Sequence, residues 1–155
     1  MNSLADELTA HRFFAGMADA HLEVLTGCAR NVVIPGGTSI IREGAEANVF
    51  WALRAGRVAL GVTAPGRGML TIDTLHAGDV LGWAWLFPPY RWHFDADALD
   101  DVHAVAFDAL CLRGKCSADP ALGFDLAQRV AAILGDRLSS ARMRILDLYG
   151  SPQPG

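Results

Sequence analysis

A mainly β fold with helices at both ends is the class this sequence predicts, and three observations predict it. The hydrophobic period switches from helical to alternating at Asn31. Turn signals then recur about every ten residues as far as Asp79. After Asp119-Pro120 one apolar stripe runs on helical spacing from Leu122 to Leu148.

The elements follow in order. Residues 2–29 read as helical, with Asn2 or Ser3 as cap and Leu4, Leu8, His11 and Phe14 near helical spacing. A second short helix is expected from Ala18 to Ala29, with Leu22, Leu25 and Ala29 on one face. Asn31–Ile34, the turn Pro35-Gly36-Gly37, and Thr38–Arg42 read as strand, turn, strand. Gly44 breaks the run and Val49–Leu53 resumes it. Ala55-Gly56 turns into Arg57–Thr63, and Pro65-Gly66-Arg67-Gly68 turns into Met69–Leu75. Gly78-Asp79 opens an aromatic stretch, and His93–Leu99 and Val102–Phe107 close the series. About eight short strands so spaced imply an antiparallel sandwich, barrel or jelly roll.

Helix returns at Asp119-Pro120, a capping residue followed by proline at the first helical position. Its stripe comprises Leu122, Leu126, Val130, Ile133, Leu134, Leu138, Ala141, Ile145 and Leu148. A helix over 119–149 is long for a small domain, and its surplus apolar face needs cover. A second copy of itself supplies that with one self-complementary stripe, so a homodimer through this helix is expected. Gly135 weakens its middle or permits close helix approach. Residues 1–150 are read as one domain and 151–155 as a disordered tail.

Composition narrows the function classes. The 155 residues are 52% hydrophobic and 19% charged, with a formal net charge of −4. Phosphate backbones call for a basic field, so direct DNA binding is not expected. No apolar run approaches the roughly 18–20 residues of a membrane span, and no signal peptide is evident. Cys28, Cys111 and Cys116 lack zinc-ligand spacing and read as reduced thiols of a cytoplasmic protein, with Cys111–Cys116 the one redox pair to consider. Asp95, Asp97, Asp100 and Asp101 read as a solvated strand face. His76, His93 and His103 form no His-x-His cluster, and no nucleophile and base pair is legible. No catalytic residue and no metal ligand is assigned.

The stretch from Gly78 to Asp101 is the expected centre of function. It holds Trp83, Trp85 and Trp92 beside Pro88-Pro89, Tyr90, Arg91, His93 and Phe94. Such aromatic rings form a core or stack on a planar ligand.

Several segments in order carry a resemblance. They are Phe14 with the helical segment to Ala29, Ile40–Phe50, Arg54-Ala55-Gly56-Arg57-Val58, Ala77–Gly82, Ala98-Leu99-Asp100-Asp101, and the helix from Asp119 to Gly150. Together they resemble the cyclic-nucleotide-binding domain of the CRP/FNR family over nearly the whole chain. The resemblance implies an eight-stranded antiparallel β-roll or jelly roll, with N-terminal helices and a long C-terminal helix. It also implies a phosphate-binding cassette after Leu81-Gly82. The family pattern there is a glycine, a glutamate for the ribose hydroxyl, a short helix, then an arginine for the cyclic phosphate followed by a small residue and alanine. Gly82 matches, and Ala84 and Leu86 fit the short helix. Trp83 stands at the glutamate position, Trp92 at the arginine position and His93 at the small residue, while Arg91 lies one place early. In a strand, that slip turns a side chain to the opposite face.

The resemblance therefore implies a non-catalytic, effector-sensing regulatory domain with altered ligand specificity. Its candidate ligand-binding residues are Gly82, Trp83, Ala84, Trp85, Leu86, Arg91, Trp92 and His93. The ligand would be a cyclic nucleotide or another small anionic or aromatic molecule, and no cofactor is assigned. Family transcription factors continue into a helix-turn-helix domain, whereas this sequence ends five residues after Gly150. A separate output protein is thus an expected partner, beside the second copy. Two alternatives are a protein-interaction module whose pocket is filled by its own tryptophans, and a cupin-like metal enzyme.

Overall fold

Ser3 opens the first helix by a reciprocal pair: its hydroxyl accepts the Asp6 N–H and the Asp6 carboxylate accepts the Ser3 N–H, both at 3.1 Å. The structure, a computed structural model, describes residues 3–150. Asn2 and the tail 151–155 lie outside the described residues. Helix α1 spans Leu4–Ala10 and stops where His11 adopts an extended backbone. The His11 ring is buried, its Nε2 lies 3.1 Å from the Leu53 carbonyl, and its Nδ1 lies 3.2 Å from the Phe13 amide. That ring ends the helix, so Arg12–Phe14 forms a single 3₁₀ turn rather than helix. Helix α2, Asp19–Thr26, is shorter than its pattern suggests. Gly27 ends it and Ala29 already begins the first strand.

Eight strands follow: β1 Ala29–Ile34, β2 Ser39–Ile41, β3 Val49–Ala55, β4 Val58–Ala64, β5 Gly68–Leu75, β6 Val80–Leu81, β7 Asp95–Ala98 and β8 Val102–Asp108. They form two four-stranded sheets, β1-β8-β3-β6 and β2-β7-β4-β5, in which every pairing is antiparallel. This is the β-roll with terminal helices that the resemblance implies. Gly56 shows why turn glycines punctuate the sequence. Its φ is +90°, and a Cβ there would stand 2.3 Å from the Asp101 carbonyl oxygen. On the first sheet, Phe50 of β3 stacks on its cross-strand partner Phe107 of β8 at 4.5 Å and on Trp85 at 4.6 Å, both nearly parallel. Burying aromatic rings of this size stabilises by on the order of 4 kcal/mol each.

The acidic run is a solvated face only in part, since Asp95 is buried while Asp97, Asp100 and Asp101 stay partly or fully exposed. Asp95 is buried, accepts the Glu43 N–H at 2.8 Å and is hydrogen-bonded by the Thr63 hydroxyl. Asp97 pairs with Arg42 at 3.0 Å, Asp100 with Arg57 at 2.9 Å, and Asp101 accepts the Gly36 N–H at 2.9 Å. These carboxylates pin loops.

Helix α3, Ala109–Ala118, is an element the apolar pattern does not announce; Asp108 caps it by accepting the Cys111 N–H at 3.1 Å. Its Cys111 is joined to Cys28, 83 residues earlier, with the Cα atoms 6.1 Å apart, and Cys116 is the free cysteine. The expectation of three reduced thiols is corrected, and so is the Cys111–Cys116 pairing. Sequence separation hides what the β1–β8 register brings together, since Ala29 faces Phe107. The thiol-based ground for a cytoplasmic location goes with it.

Helix α4 spans Pro120–Gly150, with Asp119 accepting the Ala121 and Leu122 amides at 3.2 and 3.4 Å. Its stripe divides. Leu122, Leu126 and Val130 are buried in the core, whereas Leu138, Ile145 and Leu148 are 71%, 56% and 78% exposed. Gly135 faces open space, so within the chain it permits no close helix approach. No helix is long and apolar enough to cross a membrane among the described residues.

Candidate ligand-binding site

Strand β6 ends at Leu81, and Gly82 turns the chain with φ +98° into the aromatic stretch. Against that glycine lies the Trp92 ring. A Cβ at position 82 would stand 2.7 Å from Trp92 Cη2 and 2.9 Å from Cζ3. Trp92 is buried, with Trp51 and Phe94 each 6.2 Å away between ring centres. Its backbone is clamped on both sides, Trp92 N–H to the Ala45 carbonyl at 3.0 Å and Gly44 N–H to the Trp92 carbonyl at 2.9 Å. The indole thus fills the ground beneath Gly82.

The 3₁₀ turn Ala84–Leu86 follows, with Ala84 and Trp85 buried and Leu86 half-buried. Trp85 is fully enclosed and its Nε1–H has no hydrogen-bond partner among the described residues. That costs about 1–3 kcal/mol, less than burying the ring contributes. Trp85 is therefore a core residue. Arg91 is exposed and turned to the β2–β3 loop, reaching the Gly44 carbonyl at 3.4 Å and Glu46 at 3.8 Å. His93 is exposed and lies flat on Trp83, ring centres 5.2 Å apart.

Of the eight residues singled out from sequence, Gly82 and Trp83 face open space. Together with Leu60, Ile72, Leu75, Val80 and Phe94 they wall a cavity of about 400 Å³. Its far side is α4: Arg137, Ser140, Ala141, Arg144 and Ile145. Sequence reading missed these helix residues by assigning their face to dimerisation. The legible signal is two arginines seven apart, hence on one face, within an apolar stripe. Both reach Asp73 on β5. Arg137 Nη1 lies 2.7 Å from one carboxylate oxygen, Arg144 Nη2 lies 3.4 Å from the other, and Arg144 also donates to the Ile72 carbonyl. A second, more polar cleft of about 700 Å³ adjoins it along Arg12, Asp79, Arg129 and Asp136. No cluster of three or more potential metal-ligating side chains exists among the described residues.

Residues 31–119 match the family model for the cyclic nucleotide-binding domain. The chain belongs to the cyclic nucleotide-binding domain family. A candidate cyclic nucleotide-binding protein of Geobacter metallireducens GS-15 is 27% identical, with TM-score 0.80 over 88% of this chain and 99% of that one. The Catabolite Activator Protein of Thermus thermophilus gives TM-score 0.67 at 23% identity, over 89% of this chain and 62% of that one. The regulatory domain of Toxoplasma gondii PKA, crystallised with cAMP, gives 0.66 at 18% identity, over 88% and 48%. A search of curated proteins finds no match.

In this cyclic nucleotide-binding domain, the stretch that the resemblance assigns to the phosphate cassette runs from Gly82 through the 3₁₀ turn Ala84–Leu86 to Trp92 and His93. A cyclic phosphate needs a cation and convergent N–H donors, because an unpaired buried anion costs many kcal/mol. At the two positions that matter, this domain places Trp83 on the cavity wall and Trp92 under Gly82.

Proposed function

We propose that this cyclic nucleotide-binding domain is a non-catalytic regulatory sensor whose effector is not a cyclic nucleotide held by its phosphate. One observation carries the reading: the Trp92 indole packs against Gly82, where the resemblance would put the cyclic phosphate, while the space bounded by Trp83, Phe94 and α4 stays open. The effector would sit in that space and bias the packing of α4 against the roll. A cytoplasmic setting belongs to the proposal on the family reading and not on the cysteines, since a Cys28–Cys111 bond is unusual among reducing thiols. So does a homodimer through the exposed half of α4, supported by Leu138, Ile145 and Leu148. The signal would pass to a partner protein and not to DNA through this domain's own surface, whose formal net charge is −4.

The test is a titration followed by tryptophan emission. cAMP and cGMP should leave it unchanged; a saturating response to either overturns the specificity claim. The neutral dye N-phenyl-1-naphthylamine should bind saturably, and Ala141→Trp, which fills the cavity from α4, should abolish that binding. Sedimentation showing a monomer at micromolar concentration overturns the dimer.

The buried Trp92 also favours a second reading, a protein-interaction module with a self-filled pocket. Absence of any dye binding that Ala141→Trp can block decides for it.

A further inference from the structure

The cavity between the cassette and α4 has an uneven charge on an apolar wall. Its charged lining residues are Asp73, Arg137 and Arg144, two cations against one carboxylate. Arg137 is the closer partner, at 2.7 Å and largely sheltered, and suffices to neutralise Asp73. Arg144 reaches the other oxygen only at 3.4 Å, with its side chain 56% exposed at the rim. One positive charge is therefore in excess, in a chain whose formal net charge is −4. The remaining lining is almost wholly hydrocarbon and aromatic, and its uncharged side chains able to hydrogen-bond are Ser140 and, as a donor only, the indole N–H of Trp83.

We propose that this cavity binds a small amphiphilic monoanion, an organic acid whose apolar body lies on Trp83, Phe94 and Ile72 and whose single anionic group takes Arg144. This rests on the reading that the domain senses a ligand in the cavity, and it names the chemical class of that ligand. The volume of about 400 Å³ falls within the roughly 300–1,000 Å³ of small-molecule sites. A sugar is disfavoured by the wall, because several hydroxyls would be buried against one serine, one indole N–H and a carboxylate already paired with Arg137, and most would lose their water without replacement. A dianion is disfavoured because Arg137 is held close by Asp73, which leaves Arg144 as the one more weakly paired cation of the lining. The anion docks at the rim, where a guanidinium can pair bidentately without leaving a buried charge unpaired. Because Arg144 bridges α4 to the Ile72 carbonyl on β5, taking the acid would exchange an internal tether for a ligand-mediated one.

The test compares two dyes with nearly the same apolar body, 1-anilinonaphthalene-8-sulfonate, which carries one anionic group, and neutral N-phenyl-1-naphthylamine. The wild-type chain should bind the sulfonate at one site per chain at least tenfold more tightly than the neutral dye. Arg144→Gln should bring the sulfonate down to the neutral level, and Arg144→Lys should recover part of the preference. Ala141→Trp should abolish binding of both, with far-UV circular dichroism unchanged in every variant. Equal binding of the two dyes, insensitive to Arg144→Gln but blocked by Ala141→Trp, overturns the anionic class and leaves the sensing cavity standing. Sulfonate binding that survives Ala141→Trp places the dye elsewhere, such as the exposed end of α4, and overturns the class and the site together.

Discussion

The Arg113 guanidinium on α3 lies 4.2 Å over the ring of Tyr90, while its Nη1 donates to the Trp85 carbonyl at 2.7 Å and to the Ala47 carbonyl at 3.2 Å. Tyr90 has φ +57°, a left-handed conformation that a non-glycine residue adopts only when its surroundings hold it there. One side chain thus fastens the cassette to the helix that leads into α4.

Arg113→Ala should destabilise the fold by about 2–4 kcal/mol, from two charge-assisted hydrogen bonds and the ring contact. Arg113→Lys should recover less than half, since an ammonium does not reproduce the planar fork. Denaturant unfolding measures the loss. Hydrogen exchange should show protection falling first over residues 84–92.

Gly82→Ala should cost about 3 kcal/mol or more, because it meets both a left-handed φ and the Trp92 ring. Trp92→Leu in the same chain should restore part of that loss. A double-mutant cycle with no coupling between positions 82 and 92 would contradict the packing described.

Burial pushes the His11 imidazole below its ordinary pKa, with its hydrogen bond to the Leu53 carbonyl and nearby Asp79 opposing and Arg12 assisting. The unfolded chain binds that proton more readily. His11 therefore contributes stability above about pH 6.5, lost as pH falls through the lower folded value. Stability should decline between pH 7 and pH 5, and His11→Gln should flatten that slope. An unchanged slope in the variant would assign the effect to another group.

Peptide mapping without reduction should recover residues 28 and 111 cross-linked and Cys116 alkylated. With the two cysteines 83 positions apart, chain-entropy reasoning gives the bond about 4.5 kcal/mol. The melting temperature should drop on reduction, and Cys28→Ala with Cys111→Ala should make it insensitive to reductant.

The strands were legible because their turns are chemically marked. Gly37, Gly44, Gly56 and Gly78 all take positive φ, where other residues are strained. Helix α3 was not, because its Leu110 is exposed, its Leu112 is buried and Gly114 interrupts it, so no stripe forms. The cassette was found from Gly82 and its order of residues, but the fate of each tryptophan was not. Trp83, Trp85 and Trp92 share one chemistry and part ways only through neighbours distant in sequence: His93 over the first, Phe50 under the second, Trp51 beside the third. The cavity's helical wall escaped for a related reason. A stripe shows that a face is apolar, and not whether a sheet or a second helix covers it.

Helix α4 works as a lever. From Val130, the last buried position of its stripe, to Leu148 the rise is about 27 Å. A tilt of about 10° at Val130 therefore moves Leu148 by about 5 Å, roughly one helical turn. Arg137 and Arg144 hold the arm to Asp73 at about two and four turns along its free length. A rearrangement of one carboxylate, too small to alter the roll, would be read at the far tip as a change of position larger than a methyl group.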